Sequence, residues 1–144
     1  MTQMNAALKA SMLPRSRFID SRGDLDVAGL CDAVGLSESA AARALGKPRQ
    51  TIAHYFAKRG EFLRLRDSDT RNFFEKLHYA YTLLIGAAGE ERVSPDVRDK
   101  EIREWFASPN RALRAERPID LIGRGQIDPL IKALMDVLTA AHGG

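Results

Sequence analysis

Side chains able to read the edges of DNA bases are grouped between residues 47 and 59. Arg49 and Gln50 carry forked donors and acceptors that match guanine and adenine edges in the major groove, and His54 follows four residues after Gln50. These three are expected to face base edges, while their neighbours contact phosphates or set the register. The complete set predicted to contact DNA is Lys47, Arg49, Gln50, Thr51, His54, Lys58 and Arg59.

Residues 38–56 have the pattern of two short helices joined by a tight turn, which would hold those side chains in place. Ala42 allows a second helix to approach closely, and Gly46 stands where the chain must turn with positive φ. Pro48 suits the first turn of the following helix. The stretch resembles the helix-turn-helix of the Xre and phage-repressor family through Ala42, Leu45, Gly46, Ile52 and Tyr55. The alternative is an ordinary helical hairpin with a solvated basic face.

The distribution of charge favours DNA as the partner of the N-terminal half. Residues 1–66 hold 11 Lys and Arg against 6 Asp and Glu, whereas residues 67–144 hold 11 against 13. Between Arg43 and Arg66 the single acidic residue is Glu61. Such clustering attracts the phosphate backbone through Coulomb energy and counterion release, so binding is expected to be salt-sensitive.

Apolar residues recur with helical spacing through most of the chain, which predicts an all-α fold. Residues 1–24 are predicted to be a flexible arm, and residues 25–66 the helix-turn-helix domain. Residues 67–95 are predicted to form a connecting or dimerisation helix and a loop, with the helix between Ser68 and Ile85. Its broad apolar stripe fits either domain core alone or core plus a dimer seam. Residues 96–144 are assigned to a second, small helical domain.

Composition argues against a membrane protein and against an enzyme. No apolar run approaches the roughly 20 residues needed to cross a bilayer, and the N-terminus has too short an apolar core for a secretory signal, so a cytoplasmic protein is expected. Cys31 is the single cysteine, and the three histidines have no metal-ligand spacing. The glycines at 123–125 lack the context of a phosphate loop. We therefore predict no catalytic residues, no metal and no cofactor.

The C-terminal segment, residues 96–144, carries a second resemblance. Its landmarks are Trp105-Phe106, Pro109-Asn110, Ala112-Leu113, Pro118-Ile119-Asp120-Leu121-Ile122 and Gly125, followed by a closing amphipathic helix. In this order they resemble the toxin-binding domain of the MbcA/ParS/Xre antitoxins. The chain departs from that family in one loop, because Arg114-Ala115 stands where the family usually has a pair of glycines.

The two resemblances together imply an antitoxin of a type II toxin–antitoxin system of the RES–Xre type. Such a protein represses its own operon and neutralises a cognate RES-domain toxin, an enzyme that consumes NAD, by occluding the toxin's active site with its C-terminal region. A homodimer and a toxin–antitoxin hetero-oligomer are implied as well. The resemblance assigns toxin binding to Lys132, Met135, Asp136, Thr139, His142, Gly143 and Gly144. The alternatives are a stand-alone repressor without a toxin and an antitoxin whose helix-turn-helix no longer binds DNA.

Overall fold

The computed structural model of the chain describes residues 16–87 and 95–143, and these residues form helices joined by turns. Strand pairing within this part of the chain is limited to isolated bridges. The prediction of an all-α fold is confirmed. The helices are α1 (Val27–Val34), α2 (Glu38–Leu45), α3 (Arg49–Phe56), α4 (Ser68–Ala87), α5 (Pro95–Ala107), α6 (Pro118–Gly123) and α7 (Ile127–Gly143), with a 3₁₀ turn at Arg111–Leu113 between α5 and α6.

The turn between α2 and α3 forms as local sequence signals predict. The Ser37 side chain caps α2 by accepting a hydrogen bond from the Ala40 amide at 3.1 Å. Gly46 ends α2 in the left-handed conformation, with φ of 64°, and its amide bonds back into the last turn of the helix. Pro48 then stands immediately before α3. The path of the chain from Ser37 to Phe56 is therefore set mainly by residues within it.

The C-terminal helices pack directly on the N-terminal ones. Helix α7 lies along α4, α5 packs on α1, and α6 packs on α2. One apolar cluster includes buried side chains from Phe18 to Leu134 and so draws on all the predicted segments. The largest fully buried side chains in it include Phe74, Tyr81, Phe106, Ile122 and Leu130. Most of the apolar stripe of α4 is therefore covered by the chain's own helices, which favours the core interpretation over a dimer seam.

The prediction of a flexible arm is wrong for residues 16–24, and its remaining part, residues 1–15, lies outside the described residues. Phe18 is only 4% exposed and meets the ring of Tyr81 edge-on, with 5.4 Å between centroids. The Asp20 side chain accepts hydrogen bonds from two nearby backbone amides, which closes a turn. The contact between the two aromatic rings ties this segment to α4, and hydrogen bonds within the segment hold its turn. Neither feature gives the sequence the apolar spacing of a helix, so the order of this segment was not predicted.

Arg114 and Ala115, which stand where the antitoxin family usually has a pair of glycines, have an unusual backbone conformation. Both residues adopt positive φ, 57° and 66°, which is the conformation that glycine adopts most readily. The Ala115 amide donates to the Asn110 carbonyl at 2.9 Å, and Asn110 and Glu116 pair across the loop. The loop therefore keeps a glycine-like backbone without glycine, at a cost of about 1–2 kcal/mol for each residue.

Candidate nucleic-acid interface

Helix α3 presents the residues predicted to read bases on one exposed side. Arg49, Gln50, Thr51 and His54 are all exposed, whereas Ile52 is fully buried between them in sequence. Tyr55 is partly buried against the core. The buried side fixes the rotation of α3 about its axis, so Gln50 and His54 project directly into solvent, with Arg49 and Thr51 on the two flanks of that side. A short helix held this way is the size and shape that fits the major groove.

Acidic residues hold three of the predicted DNA-contacting cations. Arg49 Nε lies 3.5 Å from Glu38 Oε1, Lys47 Nζ lies 3.2 Å from Asp67 Oδ2, and Arg59 Nη1 lies 3.5 Å from Asp32 Oδ2. Surface pairs of this kind contribute at most about 1 kcal/mol. A phosphate oxygen can therefore replace a carboxylate partner at small cost, and in the unbound chain the pairs orient the cations.

Asp67 is a residue of this surface that sequence reasoning missed. Its carboxylate accepts hydrogen bonds from the Thr70 hydroxyl at 2.6 Å and the Thr70 amide at 3.0 Å, and it also contacts Lys47. The Thr70 bonds first, and then Lys47, lower the pKa of Asp67 from 3.8 to about 2. Asp67 thus caps the start of α4 while it fixes Lys47 beside α3. The spacing of Asp67 and Thr70 before an apolar stripe is a helix-start signal that the sequence does contain.

The cations beyond the end of α3 extend the basic surface. Lys58 and Arg59 are exposed in the turn that Gly60 closes with φ of 84°. The Asp26 carboxylate accepts a hydrogen bond from the Gly60 amide at 3.0 Å and another from the Gly29 amide in α1, also at 3.0 Å. Asp26 therefore anchors this turn to α1. All seven residues predicted to contact DNA lie on α3 or in the two turns that flank it.

The predicted toxin-binding residues are only partly visible in the structure. Lys132, Met135 and Asp136 are exposed on α7, whereas Gly144 and the side chains of Thr139 and His142 lie outside the described residues. The closing helix expected from the sequence is α7, which ends at Gly143. Toxin contact by these residues stays a prediction.

An apolar hollow that sequence reasoning did not assign lies beside α7. It has a volume of about 230 Å³ and its walls include Leu84, Trp105, Leu113 and Val137. Val137, which lines this hollow, is 50% exposed, and Met135 on the same helix is 46% exposed. Trp105 is expected from the sequence to be a core anchor, but it is half-buried at the rim, with its ring against Phe106.

Two buried titratable groups lie away from α3 and serve the core. Burial, with smaller contributions from Asp26 and Asp32, raises the pKa of the Cys31 thiol well above its usual range. Burial lowers the pKa of His78 from 6.5 to about 4, and its Nε2 lies 2.7 Å from the Ser16 hydroxyl. Both side chains are therefore uncharged at neutral pH. Among the described residues, no three His, Cys, Asp or Glu side chains are arranged to hold a metal ion.

None of the described helices combines the length and the hydropathy needed to cross a membrane.

Comparisons with known proteins give no match. None of the protein-family models matches the chain, no curated protein matches it, and no solved structure matches it.

Proposed function

We propose that this chain is a DNA-binding antitoxin, which represses its own operon and neutralises a cognate RES-domain toxin that consumes NAD. The observation that carries the proposal is the geometry of α3. Arg49, Gln50 and His54 are exposed together on a helix whose opposite side is anchored by Ile52, after a turn that Gly46 makes possible. That arrangement supports base reading by α3, because a recognition helix must be rigid and must present forked polar groups.

Operator binding by this surface calls for a homodimer. One short recognition helix covers only a few base pairs, and two-fold symmetry lets two of them enter successive major grooves about 34 Å apart. The apolar stripe of α4 is already covered within the chain, so the dimer contact must use another surface. The proposed protein acts in the cytoplasm, where its operator and its toxin are both present.

Toxin binding is assigned to the region around α7, and two observations support it. The segment from Trp105 onward resembles the toxin-binding domain of the MbcA/ParS/Xre antitoxins. Val137 lines the hollow near Trp105 and is 50% exposed, and Met135, 46% exposed, lies on the same helix, close in sequence to Lys132 and Asp136. These side chains offer apolar surface for contact with a partner. Lys132 and Asp136 provide charged groups on the same helix. In the proposal, this region docks on the toxin and the end of the chain blocks its active-site cleft.

Binding to the chain's own promoter tests the DNA half of the proposal. Fluorescence anisotropy with a promoter duplex and a random duplex, each at two salt concentrations, is the measurement. We expect tighter binding to the promoter, and a loss of affinity for both duplexes at the higher salt as counterion release weakens. Equal affinity for the two duplexes at both salts would reject sequence-specific repression, and absence of binding to either would leave the helix-turn-helix as a scaffold.

Two measurements test the proposed binding to a toxin. One is co-purification with the product of the adjacent gene, and the other is an NAD-consumption assay of that product with and without this chain. Deleting residues 132–144 is a poor variant, because it removes Leu134, which is only 5% exposed. Met135→Glu changes an exposed side chain instead, and Phe62→Glu, at a residue 43% exposed in the N-terminal half, is the matched control. We expect Met135→Glu to release NAD consumption and Phe62→Glu to keep it inhibited. Full inhibition by Met135→Glu would contradict the assignment of this surface.

A stand-alone repressor is the second candidate function. The observation in its favour is that α5 and α6 pack on α1 and α2, so the C-terminal half supports the helix-turn-helix in its own right. In that case the adjacent gene product does not co-purify, yet promoter binding is retained.

A further inference from the structure

Four arginines from distant parts of the chain meet at a cleft between the N-terminal and C-terminal helices. Arg43 comes from α2, Arg103 from α5, Arg117 from the start of α6 and Arg124 from its end. The cleft has a volume of about 780 Å³, within the range of about 300–1,000 Å³ that is usual for small-molecule sites. Asp120 is the one acidic residue among those that line it. Glu116 and Asp32, outside the lining, pair with Arg124 and Arg103, so the four guanidinium groups are accompanied by three carboxylates and keep an excess of one positive charge, which attracts anions.

The acids near the cleft orient the arginines and leave donors unused. Arg117 donates from Nε and Nη2 to the two oxygens of Asp120, at 2.8 and 2.9 Å, which leaves its Nη1 group available. Arg124 contacts Glu116 through Nη2 alone. Because a guanidinium has five N–H donors in a rigid fork, each arginine keeps donors for a ligand while its position is held.

Arg43 differs from the other three. Arg103 donates from Nε to the Asp32 carbonyl at 3.2 Å, and its Nη2 lies 3.9 Å from Asp32 Oδ2. None of the described acids lies within ion-pair distance of Arg43. Its Nη2 faces Gly123, where an added side-chain carbon would lie 4.0 Å away. An exposed guanidinium with its full set of donors thus stands at the junction of α2 and α6.

The cleft lies on a different side of α2 from the recognition helix. Glu38, one end of the pair with Arg49 of α3, and Arg43 are five residues apart, which is about 140° around a helix. DNA docked on α3 therefore does not need to enter the cleft. Aliphatic side chains, with Val34 and Ile119 among them, form the remaining walls. The surface is thus part cationic and part apolar, unlike a surface that only follows a phosphate backbone.

From this arrangement we infer that the cleft is a binding site for a small organic phosphate of nucleotide size, with the phosphates on Arg43, Arg117 and Arg124 and the organic part against the aliphatic wall. Forked guanidinium groups match phosphate oxygens in pairs, which makes arginine the suited residue. The bound molecule bridges α2 to α6 and so joins the DNA-reading half to the C-terminal half. The inference does not depend on the proposed antitoxin activity.

Isothermal titration calorimetry of the full chain with pyrophosphate, ADP and adenosine, at about 150 mM salt, tests the site. We expect saturable binding of pyrophosphate and ADP, tighter for ADP, and none of adenosine. Arg43→Gln is expected to weaken both by about tenfold or more, since it removes charge-assisted hydrogen bonds, and Arg43→Lys by less. Arg111→Gln is the matched control, because Arg111 is an exposed arginine outside the cleft and outside α3, and it is expected to bind as the unmodified chain does.

Three results would overturn the inference. The first is the absence of saturable binding of pyrophosphate and ADP. The second is equal weakening by Arg43→Gln and Arg111→Gln. The third is a loss of duplex DNA affinity in Arg43→Gln without any pyrophosphate binding. The last result would make the cleft a contact for the DNA backbone. Circular dichroism and the melting temperature of Arg43→Gln and Arg43→Lys establish that each variant is folded. If the folded Arg43→Gln variant still binds the promoter with unchanged affinity, the cleft is distinct from the surface that contacts DNA.

Discussion

Glu38 and Arg49, the first residues of α2 and α3, form an ion pair across the helix-turn-helix, with 3.5 Å between Glu38 Oε1 and Arg49 Nε. The pair places a negative charge beside the side chain most suited to a guanine contact. In the proposed function, Arg49 must exchange this carboxylate for a base or a phosphate. Glu38 therefore orients Arg49 in the free protein and competes with DNA for it.

Replacing Glu38 tests that competition. Glu38→Gln is expected to increase affinity for a random duplex by up to about fivefold, because it removes a repulsive charge and a surface pair worth at most about 1 kcal/mol. The gain should shrink as salt is raised. Anisotropy titrations at two salt concentrations measure it. Glu61→Gln is the matched control, since Glu61 is exposed beyond the end of α3. Equal gains in affinity from both variants would show that the change in net charge, and not the loss of the pair with Arg49, causes the effect.

Replacing Arg49 distinguishes base reading from backbone contact. Arg49→Ala should weaken promoter binding by about 1–3 kcal/mol and random-duplex binding by less, because a guanine contact is lost only on the promoter. Since the side chain is exposed, the melting temperature should change little. Competition titrations with both duplexes provide the measurement. Equal losses on the two duplexes would show that Arg49 contacts only phosphate.

Positive backbone φ predicts opposite effects at two turns. Gly46→Ala should destabilise the chain by about 1–2 kcal/mol, because φ is 64° there, even though no neighbouring atom lies within 4 Å of the added carbon. Ala115→Gly should stabilise the chain by up to about 1 kcal/mol, because glycine adopts a φ of 66° without strain. The gain is limited because glycine also gives the unfolded chain more conformational freedom. Urea denaturation measures both. Gly86→Ala, inside α4, is the control and should be neutral or stabilising.

The buried imidazole of His78 predicts loss of stability in mild acid. Its folded-state pKa of about 4 lies below the usual 6.5, so the unfolded chain binds more protons between these values. The contribution of His78 is therefore complete above pH 6.5 and falls, by on the order of 3 kcal/mol in total, as the pH drops to 4. His78→Gln retains a polar partner for Ser16 and should flatten this slope in urea denaturation between pH 7 and 4.5. An unchanged slope would assign the acid sensitivity to other groups.

The burial of Cys31 predicts an unreactive thiol. Its side chain is fully buried and its thiol pKa is raised, so both access and thiolate formation are suppressed. A disulfide-exchange reagent should label the unfolded chain promptly and the folded chain only as it opens. Ser39→Cys adds an exposed thiol on α2 and is the control, with one of its two thiols expected to react at once. Prompt labelling of the unmodified folded chain would contradict the packing around Cys31.

The two short helices and the turn between residues 38 and 56 were predictable because their signals are local. Ser37, Gly46 and Pro48 act on their own turns, and Ile52 marks the buried side of α3 through simple periodicity. Each contributes through hydrogen bonds or backbone dihedrals within a few residues, so the sequence contains the information directly. The exposed positions of Arg49, Gln50 and His54 follow from the same periodicity.

The tertiary structure alone decided which distant residues meet. Phe18 packs against Tyr81, 63 residues away, and α7 covers the stripe of α4 that could equally have faced a second chain. Arg43 and Arg124 share a cleft although nothing in their spacing connects them. Apolar burial depends on area and not on direction, so many pairings of amphipathic helices satisfy the same sequence pattern. Close packing of the whole chain selects one pairing, and that selection positions the cleft and the exposed surface of α7.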